Sequence, residues 1–300
     1  MRAILVPLLA ISMLGPPSVV AKVKTRSQPC GAVAVGSYLY LSEYGADTVA
    51  RVNPATNRVV KRVRVGWGPC GIVAGAGSLW VENYKSNTIA RLNPRTLKVR
   101  RQIHVGAAPW DVAFAFGSAW SSNWAASTVS RISPRTNRVV KTIHTGGSPT
   151  CIRAGAGSIW VASQGEGTVY RIDPATNRVT TIATGSSSVL CVDPHDDAVW
   201  LSNDVDDSVT RLDPATNRIV ATIKVGSKPA DGVQGPDGLE WIPNQGDGTI
   251  TRIDPATNAV ADTIHVTGLP FVVRAGFGDI WVDDFSGTRE WRLHPASAAS

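Results

Sequence analysis

The sequence predicts an all-β fold, a seven-bladed β-propeller built from four-stranded antiparallel blades. Three observations predict it. An arginine recurs at Arg51, Arg91, Arg131, Arg171, Arg211, Arg252 and Arg292, every 40 residues with one step of 41. Eleven residues before each stands an aromatic: Tyr40, Trp80, Trp120, Trp160, Trp200, Trp241 and Trp281. Three residues after each stands a proline: Pro54, Pro94, Pro134, Pro174, Pro214, Pro255 and Pro295. A period of ~40 residues filled with short strands and turn residues marks propeller blades.

The second copy shows the elements in order. Cys70 to Ala74 is a short apolar strand, and Gly75-Ala-Gly-Ser78 is a turn. Leu79 to Asn83 is a second strand, Tyr84 to Asn87 a loop, and Thr88 to Leu92 an alternating third strand. Asn93-Pro-Arg-Thr96 is a turn into a fourth strand over Lys98 to Val105. The turn recurs as Asp-Pro-Ala-Thr-Asn from Asp173, Asp213 and Asp254, and as Asn53-Pro-Ala-Thr-Asn57. Asp or Asn caps it, Pro presets φ, and the last Asn tolerates a left-handed backbone. The repeated Trp reads as a wedge between blades, and the repeated Arg as its structural partner.

A proline opens the first strand of each copy at Pro29, Pro69, Pro109, Pro149, Pro229 and Pro270, with Ser188 substituting in the fifth. That makes seven blades, and the seventh stops after its third strand. Val19 to Thr25 aligns with the fourth strand Val59 to Val65, so the N-terminal segment should complete the last blade. Closing the ring protects the blade edges.

Residues 1–21 have the charged, apolar and small-residue order of a secretory signal peptide, with Arg2, the run Ala3 to Leu14 and cleavage after Ala21. The run is too short to span a membrane. Residues 22–295 then form a single propeller and 296–300 a frayed tail. The expectation is a secreted or periplasmic monomer. Net charge is +7. Much of the basic charge (Lys61, Arg62, Arg64, Arg100, Arg101, Lys141, Lys224) falls on fourth strands, where it guards exposed edges. It therefore argues for no nucleic-acid partner.

Several blades carry Gly-x-x-Pro-x-x-Val-x-x-Gly-x-Gly-x-Leu-Trp-Val-x-Asn, then Thr-Val-x-Arg-Ile-Asp-Pro-Ala-Thr-Asn-Arg-Val-Val. This resembles the secreted bacterial YVTN-type propellers and the virginiamycin B (streptogramin) lyase family, over essentially the whole mature chain. The lyase resemblance implies Mg²⁺-dependent elimination that opens a cyclic depsipeptide ester, with a catalytic His after the first-strand proline. Here that place holds Cys30, Cys70, Trp110, Thr150, Val189, Ala230 and Phe271. None can act as a general base near neutral pH. The expectation is therefore no catalytic residue and no cofactor, with Mg²⁺ only under the lyase reading, on Glu43, Glu166, Asp204, Asp231 and Asp284.

Scaffold positions agree between blades, whereas the loops of one face diverge, which points to binding there. Around the channel mouth the candidates are Trp110, Asp111, Asp231 and Phe271. On the loops between second and third strands they are Glu43, Tyr44, Asn83, Tyr84, Trp124, Glu166, Asn203, Asp204, Asn244 and Asp284, with Gln164, Gln245 and Phe285 in the same set. Carboxylates beside aromatics suit a small polar organic ligand, a cation or a partner protein's loop. His104, His144 and His265 share one fourth-strand position and read as exposed. His195, within Asp193-Pro-His-Asp-Asp197, lies on the opposite face with no matching partner set.

Four cysteines in an exported chain invite pairing. Inner strands of adjacent blades should bring Cα atoms to about 6–8 Å, near the roughly 4.4–6.8 Å that a disulfide spans. Cys30–Cys70 and, offset by one residue, Cys151–Cys191 are the candidate bridges.

Overall fold

The computed structural model describes residues 17–295. The apolar run read as a signal peptide and residues 296–300, read as a tail, lie outside the described residues. Seven four-stranded antiparallel sheets form the ring, six of them from four consecutive strands. The seventh takes its first three strands from Pro270–Gly276, Asp279–Asp284 and Arg289–His294, and its outer strand from Ser18–Lys24. The closing strand runs antiparallel to the last, pairing Ser18 with His294 and Lys24 with Arg289.

Blade two folds as its sequence dictates, with strands Pro69–Gly75, Ser78–Asn83, Thr88–Leu92 and Val99–His104. The loop between the second and third strands is a single 3-10 turn, Tyr84–Ser86, ended by Asn87 in the left-handed region. In the hairpins joining third and fourth strands, Asn57, Asn137, Asn177, Asn217 and Asn258 all have positive φ. The capping residue accepts the amide two positions on, as from Ala55 to Asn53 at 2.9 Å and from Ala175 to Asp173 at 2.7 Å.

The core lies between blades. Trp80, Trp120, Trp160, Trp241 and Trp281 are fully buried, and Trp200 nearly so. Each faces its own blade's Arg at 4.6 to 5.4 Å from ring centroid to guanidinium. In five of these six blades the guanidinium then reaches the next blade, whereas Arg252 pairs within blade six with Asp237 and Asp262. Arg131 donates to the Pro174 carbonyl at 2.8 Å and to Asn177 Oδ1 at 3.0 Å. Arg211 does the same to Pro255 and Asn258, and Arg292 to Pro54 and Asn57 across the closure. One side chain thus wedges its own blade and locks the hairpin of its neighbour.

Blades five and six depart from the regular plan. Their first strands shrink to Cys191–Pro194 and Val233–Gln234. In blade six, Pro243 sits mid-way along the second strand and has no N–H to give to the ladder. The pairing is left with only Val233↔Trp241 and Gln234↔Glu240.

Both candidate disulfides form, Cys30–Cys70 and Cys151–Cys191, with Cα separations of 4.7 and 4.8 Å. Each spans 40 residues. The apparent offset of Cys151 and Cys191 vanishes because the two stand at the same register position, each two residues before the residue that faces the wedge Trp, Arg153 opposite Trp160 and Asp193 opposite Trp200. Gly31 is required beside the first bridge, since a Cβ there would run into the Cys70 carbonyl.

Candidate functional site

A cavity of about 750 Å³ opens at the channel mouth, on the face that carries the divergent loops. Five aromatic rings surround it: Tyr44, Tyr84, Trp110, Phe271 and Phe285. They pack against one another rather than standing alone. Phe285 lies 5.2 Å from Phe271 and 5.7 Å from Tyr44, and Tyr84 meets Trp110 edge-on at 6.0 Å. Polar groups fill the opposite side of the rim: Gln164, Asp204, Asp207, Lys228 and Gln245. The Cys30–Cys70 bridge and Leu190 contribute to the wall. Trp67, 62% exposed, lies on the loop entering blade two, its amide bonded to Ser86 Oγ; Val205, 64% exposed, is itself part of the lining.

Beneath the aromatics an ionic chain crosses the channel. Arg153 of blade four bonds Asp111 of blade three and, at 2.7 Å, Asp231 of blade six; Arg274 of blade seven bonds the same Asp231 carboxylate. Burial would raise the Asp231 carboxyl, but the two guanidinium groups outweigh it and hold it below the usual range. Burial likewise works against the Arg153 charge, and Asp111 and Asp231 overcome it. The four groups offset one another's charge across the channel under the cavity, with one Asp231 oxygen, Oδ1, left without a hydrogen-bond partner.

Glu82 stands at the cavity floor and is completely buried. One carboxyl oxygen accepts from the Gly71 amide at 2.9 Å, and the other has no partner. Burial pushes this carboxyl well above its ordinary value, helped by the nearby Asp111 charge. It therefore holds its proton more tightly than an exposed carboxyl does, and it lines the space a ligand would fill.

Of the residues singled out from sequence, the cavity gathers Tyr44, Tyr84, Trp110, Gln164, Asp204, Gln245, Phe271 and Phe285, and Asp111 and Asp231 lie below it. The others serve the loops. Asn83, Asn203 and Asn244 are buried, and each donates to a hydroxyl five residues on, Thr88, Ser208 and Thr249. Asn83 also accepts the Gly66 amide, tying the entering loop down. Glu43 fills the same position in blade one, held by Thr48 and by Arg62 at 3.0 Å. Asp284 does so in blade seven, accepting from the Leu269 amide and pairing with Arg289. Glu166 accepts from the Tyr170 hydroxyl at 2.7 Å, and Trp124 opens a 3-10 turn outside the cavity.

Sequence reasoning missed Glu82, Asp207, Lys228, Arg153 and Arg274. A signal existed for three of them. Two residues after the wedge aromatic, Ser42, Ser122, Ala162, Ser202 and Pro243 carry no charge, so Glu82 stands out there together with Asp283 of blade seven. Arg153 and Arg274 face Trp160 and Trp281 across the ladder, where blades one to three have Val33, Val73 and Ala113.

The histidines divide. His104, His144 and His265 are exposed, as read from sequence. His195 does not lack partners. Its Nε2 lies 3.2 Å from Asp193 Oδ2 and 3.0 Å from Glu240 Oε1, the latter from blade six and fully buried. The two carboxylates push the imidazole up to about 10. Glu240 was invisible as a partner because it is 45 residues away and belongs to the next blade.

Two disulfides agree with an extracytoplasmic protein. Among the described residues no helix is long and apolar enough to cross a membrane. No protein-family model matches the sequence, and no curated protein matches it. Solved structures do. A streptogramin B lyase structure superposes with TM-score 0.81 at 13% identity, over 92% of this chain and 97% of that one. A catalytically inactive virginiamycin B lyase from Staphylococcus aureus, solved with quinupristin, gives 0.79 at 14%, over 91% and 98%. Hydrazine synthase from Kuenenia stuttgartiensis gives 0.80 at 17%, over 92% and 98%. Proteins of such different activity share one scaffold, so the likeness is one of fold: this chain is a seven-bladed β-propeller of the architecture that streptogramin B lyase also has.

Proposed function

We propose that the chain is an exported, non-catalytic propeller that binds a small, partly apolar organic molecule at the channel mouth. The observation that carries this reading is the ring of five aromatics around one cavity, with acidic and amide groups on its far side. Such a lining offers stacking surface to a flat or cyclic ligand, and Asp204 and Asp207 offer acceptors to an amine. The channel carboxylates Asp111 and Asp231 are already neutralised by Arg153 and Arg274, which leaves recognition to the rim. Export rests on the leader-like residues 1–21 and on the paired cysteines.

Tryptophan fluorescence titration tests the reading, with tyramine as an aromatic amine and quinupristin as a cyclic depsipeptide. Saturable quenching by either, weakened about tenfold or more by Trp110→Ala, is the expected result. Equal response in wild type and in Trp110→Ala and Tyr84→Ala variants would remove the cavity from consideration.

A second reading, a lyase-like enzyme, is favoured by one feature: the buried Glu82 carboxyl with a free oxygen at the cavity floor. Glu43 and Asp284 are spent on Arg62 and Arg289, so Mg²⁺ has few of the carboxylates the resemblance offered it. Mass spectrometry of quinupristin incubated with protein and Mg²⁺ separates the two. Ring opening that disappears in Glu82→Gln would replace the binding reading with the enzymatic one.

A further inference from the structure

On the face opposite the cavity, Asp193 and His195 of blade five meet Glu240 of blade six. One ligand atom from each lies within 4.8 Å of the others. Two features set this group apart from a surface ion pair. Glu240 is fully buried at the start of its strand, yet neither carboxylate oxygen has a hydrogen-bond partner. His195 Nε2 is close to both carboxylates, yet it too makes no bond of hydrogen-bonding geometry with either. A buried carboxylate left so carries a large desolvation cost unless something else occupies the point between the donors.

The spacing matches a metal ion. Ligand atoms about 2.0–2.1 Å from a tetrahedral centre lie roughly 3.3 Å apart. The observed separations from Nε2 are 3.0 and 3.2 Å. Imidazole with two carboxylates is a donor set for Zn²⁺ and similar transition ions, whereas Mg²⁺ and Ca²⁺ favour all-oxygen sites. Asp193 is further held in place by the Gln234 amide of blade six, 3.1 Å from Oδ2. The position also explains why such a site would be useful. The first strand of blade six is only two residues long, so the seam between blades five and six lacks the inner-strand packing found elsewhere in the ring.

We propose that Asp193, His195 and Glu240 form a transition-metal site that clasps blade five to blade six. The three side chains leave a fourth position on the His195 side, the more exposed edge of the group, for water. The site is independent of the channel-mouth cavity.

Co²⁺ reports both stoichiometry and coordination through its visible absorption. The test uses untagged protein, with Zn²⁺ then displacing Co²⁺. The expected result is one equivalent of Co²⁺ per chain with a low-coordinate spectrum. Loss of an outer-shell partner already weakens metal sites by about 10–100-fold, so Glu240→Gln and His195→Asn should each weaken binding by at least about 100-fold. His104→Asn, at an exposed histidine, should leave it unchanged. Zn²⁺ should raise Tm in wild type and in His104→Asn, but not in the two site variants. Circular dichroism establishes that each variant is folded. Folded wild type without saturable Co²⁺ binding would overturn the proposal. So would the same stoichiometry and spectrum in His195→Asn, which would place the metal elsewhere.

Discussion

Among single residues, recurrence separates scaffold from site. Asn83, Asn123, Asn203 and Asn244 all stand three residues after a wedge aromatic, and all are buried structural donors. Their identity between blades is the sign that they hold loops, and Glu43 and Asp284 inherit that role through position. Glu82 is the reverse case, an acid at a place where only blade seven, with Asp283, has another. The interblade arginine makes a direct prediction. Arg131→Ala removes a cation–π contact and two hydrogen bonds to blade four, and should lower stability by about 1–3 kcal/mol. Arg131→Lys should recover only part of it, because an ammonium cannot form the same fork; urea denaturation of the three proteins checks this. A second residue-scale prediction concerns Asp283 and Glu290, cross-strand neighbours in blade seven, both buried and without hydrogen-bond partners. Burial pushes Asp283 up to about 6 from 3.8. Burial, then the Asp283 charge, pushes Glu290 well above its ordinary value. The folded state therefore holds more protons than the unfolded one between about pH 4 and about pH 6. Stability should fall as pH rises through that window, by at most about 1.4 kcal/mol per pH unit for each proton. Asp283→Asn should flatten this slope in denaturation curves taken from pH 4 to 7.

At the scale of the strand, the closing segment bears on export. Ser18–Lys24 pairs along its length with the last strand, yet cleavage after Ala21 would leave only Lys22, Val23 and Lys24 of it. Val23 is the one buried side chain of these three and packs into the cluster with Trp281. Under the proposed export, N-terminal sequencing of the mature protein should therefore place its start no later than Lys22. Removing Lys22 to Lys24 as well should expose the edge of Arg289–His294 and lower Tm by several degrees, since an open edge invites pairing with another chain. The shortened strands of blades five and six were not legible in the sequence pattern. The repeat predicts full strands there, and Pro243, whose missing N–H limits the ladder, lies in the neighbouring strand rather than in the one it shortens.

Across the whole molecule, the disulfides join blades one to two and four to five at the inner strands. Each closes a loop of 40 residues, which by chain entropy corresponds to about 4 kcal/mol. The double variant Cys30→Ser with Cys70→Ser should lose stability of this order. Alkylation of the denatured, unreduced wild type should find no free thiol. The ionic chain from Asp111 through Arg153 and Asp231 to Arg274 links four blades across the axis. It makes the channel a closed cup under the cavity rather than a passage.

The sequence by itself determined the blade count, the strand order within a blade, the turn chemistry and the ring closure. These follow from local periodicity repeated seven times, and each copy checks the others. It also singled out one face, because loops there escape the repeat, and the cavity opens on that face. Only the tertiary structure decided which residues meet. Tyr44, Trp110 and Phe271 come from three blades, Arg153 reaches Asp231 across the axis, and Glu240 joins His195 over a blade seam. Such encounters depend on the angle between wedges and on side-chain reach across a closed ring, and a 40-residue period carries neither.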